Sequence, residues 1–259
     1  MTDRAVIAVS GPEARSFLQG LITNDIGRLA ADAPFYAALL TPQGKVLFDF
    51  LLSEEGGTVF LDCAAASSQV LFKRLTMYRL RAKVELSLRD GLAVLWNESG
   101  LPDPRLPELG TRRIAQTNAA NASAEYLSRR LSLGVPEGAD FGSDKMFALD
   151  AGLEELHGVS FDKGCYVGQE LTARMKHRGT ARKRLLPIEA IDKSPLPPPG
   201  TDVRAGEISL GEITSTYHRH GFALIRLDRS REAGDAPAHA GDHEIKIVRP
   251  AWLAGAAAS

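Results

Sequence analysis

One thiol in this sequence stands where a thiol can do chemistry. Cys165 lies in Lys163-Gly164-Cys165-Tyr166-Val167-Gly168-Gln169-Glu170, between glycines that let the backbone turn tightly and come close to a ligand. The stretch from Gly168 to Arg174 reads as a helix beginning just after it. Amides at that helix start and the Lys163 ammonium both favour the thiolate form, so a nucleophilic, redox-active or metal-touching sulfur is expected. Cys63, in Leu61-Asp62-Cys63-Ala64-Ala65, has no such context and reads as a small buried group at a strand end.

The surroundings of Cys165 are basic. From Lys163 to Arg184 there are seven cations (Lys163, Arg174, Lys176, Arg178, Arg182, Lys183, Arg184) against one acid, Glu170. Such a patch attracts carboxylates or phosphates, which Arg can bind in bidentate fashion. His157 and His177 are the histidines nearest Cys165 in sequence, and neither sits in a nucleophile-activating motif. His218-x-His220 is the one close histidine pair, so no metal site is expected. A phosphate-cradling Gly-x-x-x-x-Gly-Lys-Ser/Thr and a dinucleotide fingerprint are both absent, which removes the common nucleotide enzymes.

The wider composition narrows the classes further. The chain has 259 residues, 44% hydrophobic and 24% charged, with a formal net charge of −1, which argues against a surface built wholly for nucleic acid. Its two cysteines specify neither a disulfide framework nor a cysteine-based zinc site, so a reducing, cytoplasmic setting is expected. No segment approaches the roughly 20 apolar residues that span a bilayer, and the first residues lack an apolar signal core. A soluble, unexported protein with no membrane partner is the expectation.

The elements that position these residues follow from periodicity and turn chemistry. Ser10-Gly11-Pro12-Glu13 has the form of a capping box before a helix through Phe17, Leu18, Leu21 and Ile22. Strands at 35–40 and 45–52 are joined by Thr41-Pro42-Gln43-Gly44, a hairpin. A strand at 59–63, a helix at 64–78 and an alternating strand at 83–88 complete an α+β pattern. After 92–96, Pro102, Pro104 and Pro107 interrupt regular structure, and a helix through Tyr126 and Leu131 stops at Gly134 before Pro136, suggesting a second α+β unit. Beyond Ser194-Pro195-Leu196-Pro197-Pro198-Pro199-Gly200, short apolar runs separated by glycines predict a small β-barrel or sandwich, and the last residues, 254–259, are expected to fray.

The Cys165 octapeptide resembles the signature of the YgfZ folate-binding family, a branch of the glycine-cleavage aminomethyltransferase relatives whose mitochondrial members act in iron–sulfur protein maturation. Phe17–Asp25, Leu40–Lys45, Asp103-Pro104-Arg105 and Gly134–Glu137 also look like family landmarks, so the resemblance spans nearly the whole chain. It implies an aminomethyltransferase-like ring of two α+β domains plus a C-terminal small β-barrel around a central folate cavity. The corresponding division is 1–30 with 95–180 as one discontinuous domain, 31–94 as the second and 181–259 as the barrel. Leu149-Asp150-Ala151-Gly152 is similar to the segment whose acid holds the pterin in the transferases, with Asp for Glu. Gly44–Asp49 is similar to their strand of paired aspartates, with Phe48 in one of the two places.

The resemblance thus implies Cys165 and Lys163 as the working residues. It implies Asp150, Tyr166, Gly168, Gln169, Glu170, Arg174, Asp49 and Arg105 as the tetrahydrofolate-binding set; Arg105 also reads as a surface salt-bridge residue. The expected function is a tetrahydrofolate-binding accessory protein for assembly or repair of iron–sulfur enzymes, with those enzymes or their assembly factors as partners. A tetrahydrofolate-dependent one-carbon transferase is the alternative. An RNA-binding module using Lys73, Arg74, Arg79, Arg81 and Lys83 with the basic patch around Cys165 is a third reading, disfavoured because no RNA motif is present. One well-placed thiol cannot hold a stable cluster alone, since clusters take several cysteine ligands.

Overall fold

A computed structural model describes residues 1–116, 121–179 and 182–254. The first part of the chain builds β1 (Arg4–Ser10), α1 (Ala14–Gln19), β2 (Phe35–Leu40), β3 (Val46–Glu55), β4 (Thr58–Ala64), α2 (Ala65–Arg79) and β5 (Glu85–Leu88). The strands form one antiparallel sheet in the order β2-β3-β4-β1-β5. All six residues of β2 are buried, as an uninterrupted apolar run demands of a strand covered on both faces. One face (Ile7, Leu39, Phe50, Leu52, Leu61) packs on Leu18 of α1 and on Leu71 and Leu75 of α2. The other (Val6, Tyr36, Ala38, Leu40, Leu51) enters a second core.

That second core is shared by the rest of the molecule. β6 (Ala93–Pro102) and β7 (Thr111–Ala115) pair as a two-stranded ribbon, and α3 (Ser123–Leu133), α4 (Gly138–Phe141) and α5 (Gln169–Arg178) follow. Val94, Leu109, Tyr126 and Phe141 join it from this part. Gly134 ends α3 in the left-handed conformation at φ 65°, where its amide bonds back into the helix. The C-terminal part is a closed barrel, β10-β11-β8-β13-β12-β9, from β8 (Lys183–Ala190), β9 (Asp202–Ala205), β10 (Ile208–Tyr217), β11 (His220–Arg226), β12 (Ala238–Ala240) and β13 (His243–Ile247). Leu185 and Phe222 carry it into the shared core.

Three expectations change. The capping box does not form: Ser10 ends β1, and the Glu13 carboxylate instead accepts from the Lys83 amide at 2.9 Å. β1 pairs with β4 from Arg4↔Ala64 to Val9↔Val59, so this strand belongs to the sheet of 31–94, while residues 19–24 bond to 157–163. The prolines do not exclude a strand: β6 runs to Pro102 through a register irregularity between Trp96 and Leu101 and pairs with β7, which periodicity did not suggest. The expected fraying of the terminus falls largely on residues 255–259, outside the described residues.

Candidate functional site

The Cys165 loop is fastened at both ends. On one side Lys163 is buried, and its Nζ donates to the carbonyls of Gln19, Ile22 and Asn24 at 2.7, 2.7 and 2.9 Å. On the other, Gly168 holds φ 83° as the residue before α5; a Cβ there would lie 2.5 Å from the Thr41 carbonyl oxygen and 2.9 Å from Leu40 Cβ. Only glycine fits such a close approach to the β2–β3 turn. Between these anchors Cys165 is exposed, whereas Cys63 is buried and burial pushes its thiol up to about 12.

Lys163 therefore does not play the part its position suggested. Its ammonium is committed to three backbone carbonyls and lies 5.0 Å from the Tyr166 ring centroid, and burial lowers its pKa to about 8. It anchors the loop. Tyr166 is buried beneath it, with its hydroxyl pushed up to about 12 by burial. Glu170 and Arg174 are exposed on α5, and Gln169 is half-buried. Of the seven cations, Lys176 pairs with Glu154 and Arg184 with Glu155, leaving Arg174, Arg178, Arg182 and Lys183 exposed.

Asp150 lies at the joint between the central segment and the barrel, where its backbone carbonyl accepts from Leu185 at 2.9 Å. Its carboxylate is buried, and no hydrogen bond reaches it from the described residues. Burial lifts its pKa to about 6, more than Arg184 and Lys183 can offset. Asp49 differs: Oδ2 accepts from the Tyr36 hydroxyl at 3.0 Å and Oδ1 from the Gly138 amide at 3.1 Å. Burial and the neighbouring Glu137 raise its pKa.

Sequence reasoning missed a buried ionic cluster on this side of the sheet. Arg105 is 1% exposed, which corrects its reading as a surface residue. It bonds Asp103 through Nε at 2.9 Å and Nη2 at 2.7 Å, Glu137 at 2.8 Å and the Tyr126 hydroxyl at 2.8 Å. Arg112 joins Asp103 at 2.9 Å and Asp62 at 2.8 Å, and Arg4 also holds Asp62. Burial opposes the charge on Glu137, but Arg105, Arg4 and Arg130 outweigh it and hold the carboxyl well below the usual range. Arg130 pairs with Asp140, whose other oxygen accepts from Ser215 at 2.6 Å and Tyr217 at 2.9 Å on the barrel. One donor of the cluster makes no hydrogen bond: Arg112 Nη2 is buried, 4.0 Å from Glu137 Oε1. Arg112 lines a cavity of about 420 Å³, with Leu51, Phe60, Val94, Leu101 and Ile114 among its walls. The one available clue was Arg130, four residues after Tyr126 and so on the same, inward face of α3.

Comparison with known proteins accounts for this architecture. The crystal structure of the glycine cleavage system aminomethyltransferase T from Bartonella henselae superposes with a TM-score of 0.74 over 97% of this chain and 84% of its own, at 16% identity. The fold is that of the aminomethyltransferases, a mixed α+β arrangement with a six-stranded C-terminal barrel. Residues 182–255 match the family model of the CAF17 C-terminal β-barrel domain. The iron–sulfur cluster assembly factor IBA57, mitochondrial, of Homo sapiens is 32% identical over 86% of this chain and 75% of its own length. A homologue in Phaeosphaeria nodorum is 34% identical over 87% and 69%.

The chain belongs to the IBA57 family. It spans about half the length of one relative, the IBA57 homologue of Neurospora crassa, which is 35% identical over 72% of this chain and 52% of its own. These three relatives carry the IBA57 name rather than that of the YgfZ family read from the motif. Each is described as mitochondrial, which overturns the cytoplasmic setting expected from cysteine usage. Two scattered cysteines report a reducing compartment, not its address.

Proposed function

We propose that this protein is an assembly factor for iron–sulfur proteins that presents the Cys165 thiol to a partner. The observation that carries the reading is the contrast between the thiols: Cys63 is buried, while Cys165 is exposed on a loop held by Lys163 and Gly168. The family's iron–sulfur assembly factors supply the context. Clusters take several cysteine ligands, so a single exposed thiol acts by sharing a cluster, or a redox step, with a second protein. The exposed cations of the loop's flank, Arg174, Arg178, Arg182 and Lys183, suit an acidic partner surface.

Tetrahydrofolate is the proposed small ligand, as the YgfZ-like motif implies. One feature of the chain fits it: the buried Asp150, whose carboxylate receives no hydrogen bond from the described residues. Asp150 would accept the adjacent N–H groups of the pterin. The folate, when bound, supplies a carrier for one-carbon units. Asp49 already accepts from Tyr36 and Gly138, and Phe48 fills the neighbouring place in the strand, so binding is favoured over one-carbon transfer.

Complementation of cells depleted of their own factor tests the main reading through the activity of a cluster-dependent enzyme. Wild type and Cys63→Ser should restore that activity and Cys165→Ser should not; full rescue by Cys165→Ser overturns the proposal. Calorimetry with tetrahydrofolate tests the ligand. Binding should survive Cys165→Ala and weaken in Asp150→Ala; absence of binding to wild type removes the folate reading and leaves the assembly role standing.

A further inference from the structure

The outward face of α2 has a composition that its own fold does not use. Ser68, Leu71 and Leu75 turn inward, and Leu71 and Leu75 pack on the core. On the opposite side Val70 is 58% exposed and Met77 68%, and Leu80, just past the helix end, is 87% exposed. These are three of the four large exposed hydrophobics among the described residues. Val70 and Met77 are two helical turns apart, with Lys73 and Arg74 between them, so they form one stripe.

Two further observations point outward. No carboxylate occurs between Asp62 and Glu85, while Lys73, Arg74, Arg79, Arg81 and Lys83 all do, so the helix and the turn after it carry only cations of their own; the Glu13 carboxylate meets them at the Lys83 amide. Leu80 has φ 46° and ψ −107°, a conformation that disfavours a branched side chain, and at that exposure its side chain gains little packing within this chain. The helix packs over β1, β4 and β5, at the opposite side of the sheet from the β2–β3 turn that touches Gly168.

We propose that this face of α2, centred on Val70, Met77 and Leu80, docks a second protein through an apolar groove rimmed by acidic residues. Charge complementarity selects the acidic rim, and the aliphatic stripe selects the groove. Met and Arg are favoured in protein interfaces. Helices that lie on membranes commonly place aromatic residues in the apolar face, and single-stranded RNA is gripped by aromatic stacking. Here Phe72 and Tyr78 are only partly exposed and pack against the core, so neither alternative is favoured.

Three probes separate the occupants: a synthetic amphipathic peptide with Leu on one face and Glu on the other, a uridine oligonucleotide, and vesicles of equal parts phosphatidylcholine and phosphatidylglycerol. The full chain should bind the peptide, weaken about tenfold in Met77→Ser/Leu80→Ser and again in Lys73→Glu/Arg81→Glu, and lose affinity in high salt. These exposed substitutions should leave the circular dichroism spectrum unchanged. Peptide binding indifferent to both double variants, or no peptide binding, overturns the proposal. Binding only to vesicles or only to RNA, sensitive to the same substitutions, overturns it in favour of a lipid or nucleic-acid surface.

Discussion

Replacing Asp150 by Asn should stabilise this protein at neutral pH and leave it no more stable at acid pH. Its carboxyl has a pKa of about 6 instead of the ordinary 3.8, because burial disfavours the charge more than Arg184 and Lys183 favour it. The unfolded chain releases this proton near 3.8 and the folded chain near 6, so between those values the folded state holds more protons. Stability from this group therefore falls as pH rises through that window, and above about pH 6 the full cost is present. A displacement of roughly two units at 1.36 kcal/mol each is about 3 kcal/mol. Asn has nearly the same shape and no charge to desolvate, so that amount is the expected gain. For a chain of this size it corresponds to about 6–12 °C in Tm. Thermal unfolding of wild type and Asp150→Asn, followed by circular dichroism from about pH 4 to about pH 7.5, reads it directly. A Tm difference that is the same at both ends, or an Asn variant less stable at neutral pH, would refute the assignment of an unpaired buried carboxylate. A side chain retained at a cost in stability is what a ligand-binding acid looks like.

Two other outcomes check the Cys165 loop. Iodoacetamide should modify Cys165 in the native protein and reach Cys63 only after denaturation, because Cys63 is buried and its thiol lies near 12; comparable rates at both sites in the folded chain would contradict the geometry. Lys163→Met should cost about 3 kcal/mol by leaving the carbonyls of Gln19, Ile22 and Asn24 without their donor, and should speed proteolysis within the loop. An unchanged Tm in that variant would mean that the ammonium is not the anchor.

Much of the fold was legible wherever one segment carries its own instruction. Thr41-Pro42-Gln43-Gly44 announces the hairpin of β2 and β3, and Gly134 announces the end of α3. The pairing of β1 was not, because Arg4 meets Ala64 inside the sheet between strands far apart in sequence, which no local pattern encodes. Cys165 could be singled out from its glycines, but the role of Lys163 could not, since its acceptors lie far away in sequence, at Gln19, Ile22 and Asn24. The ionic cluster was the least visible part. A buried Arg105 is spelled like a surface arginine, and its neighbours Asp103, Tyr126 and Glu137 converge only once the chain is folded.

The Asp140 carboxylate ties two parts of the protein together: it binds Arg130 beside its own helix and accepts from Ser215 and Tyr217 on the barrel. For anyone cutting this protein into pieces, that joint sets a limit. A barrel expressed alone would expose Leu185 and Phe222 and leave two hydroxyls seeking an acceptor, while the remainder would keep a buried acid stripped of half its donors. Despite its closed outline and its own family model, the barrel is a wall of the whole rather than a detachable module, and chimeras that exchange it will need Asp140 and Arg130 to travel with it.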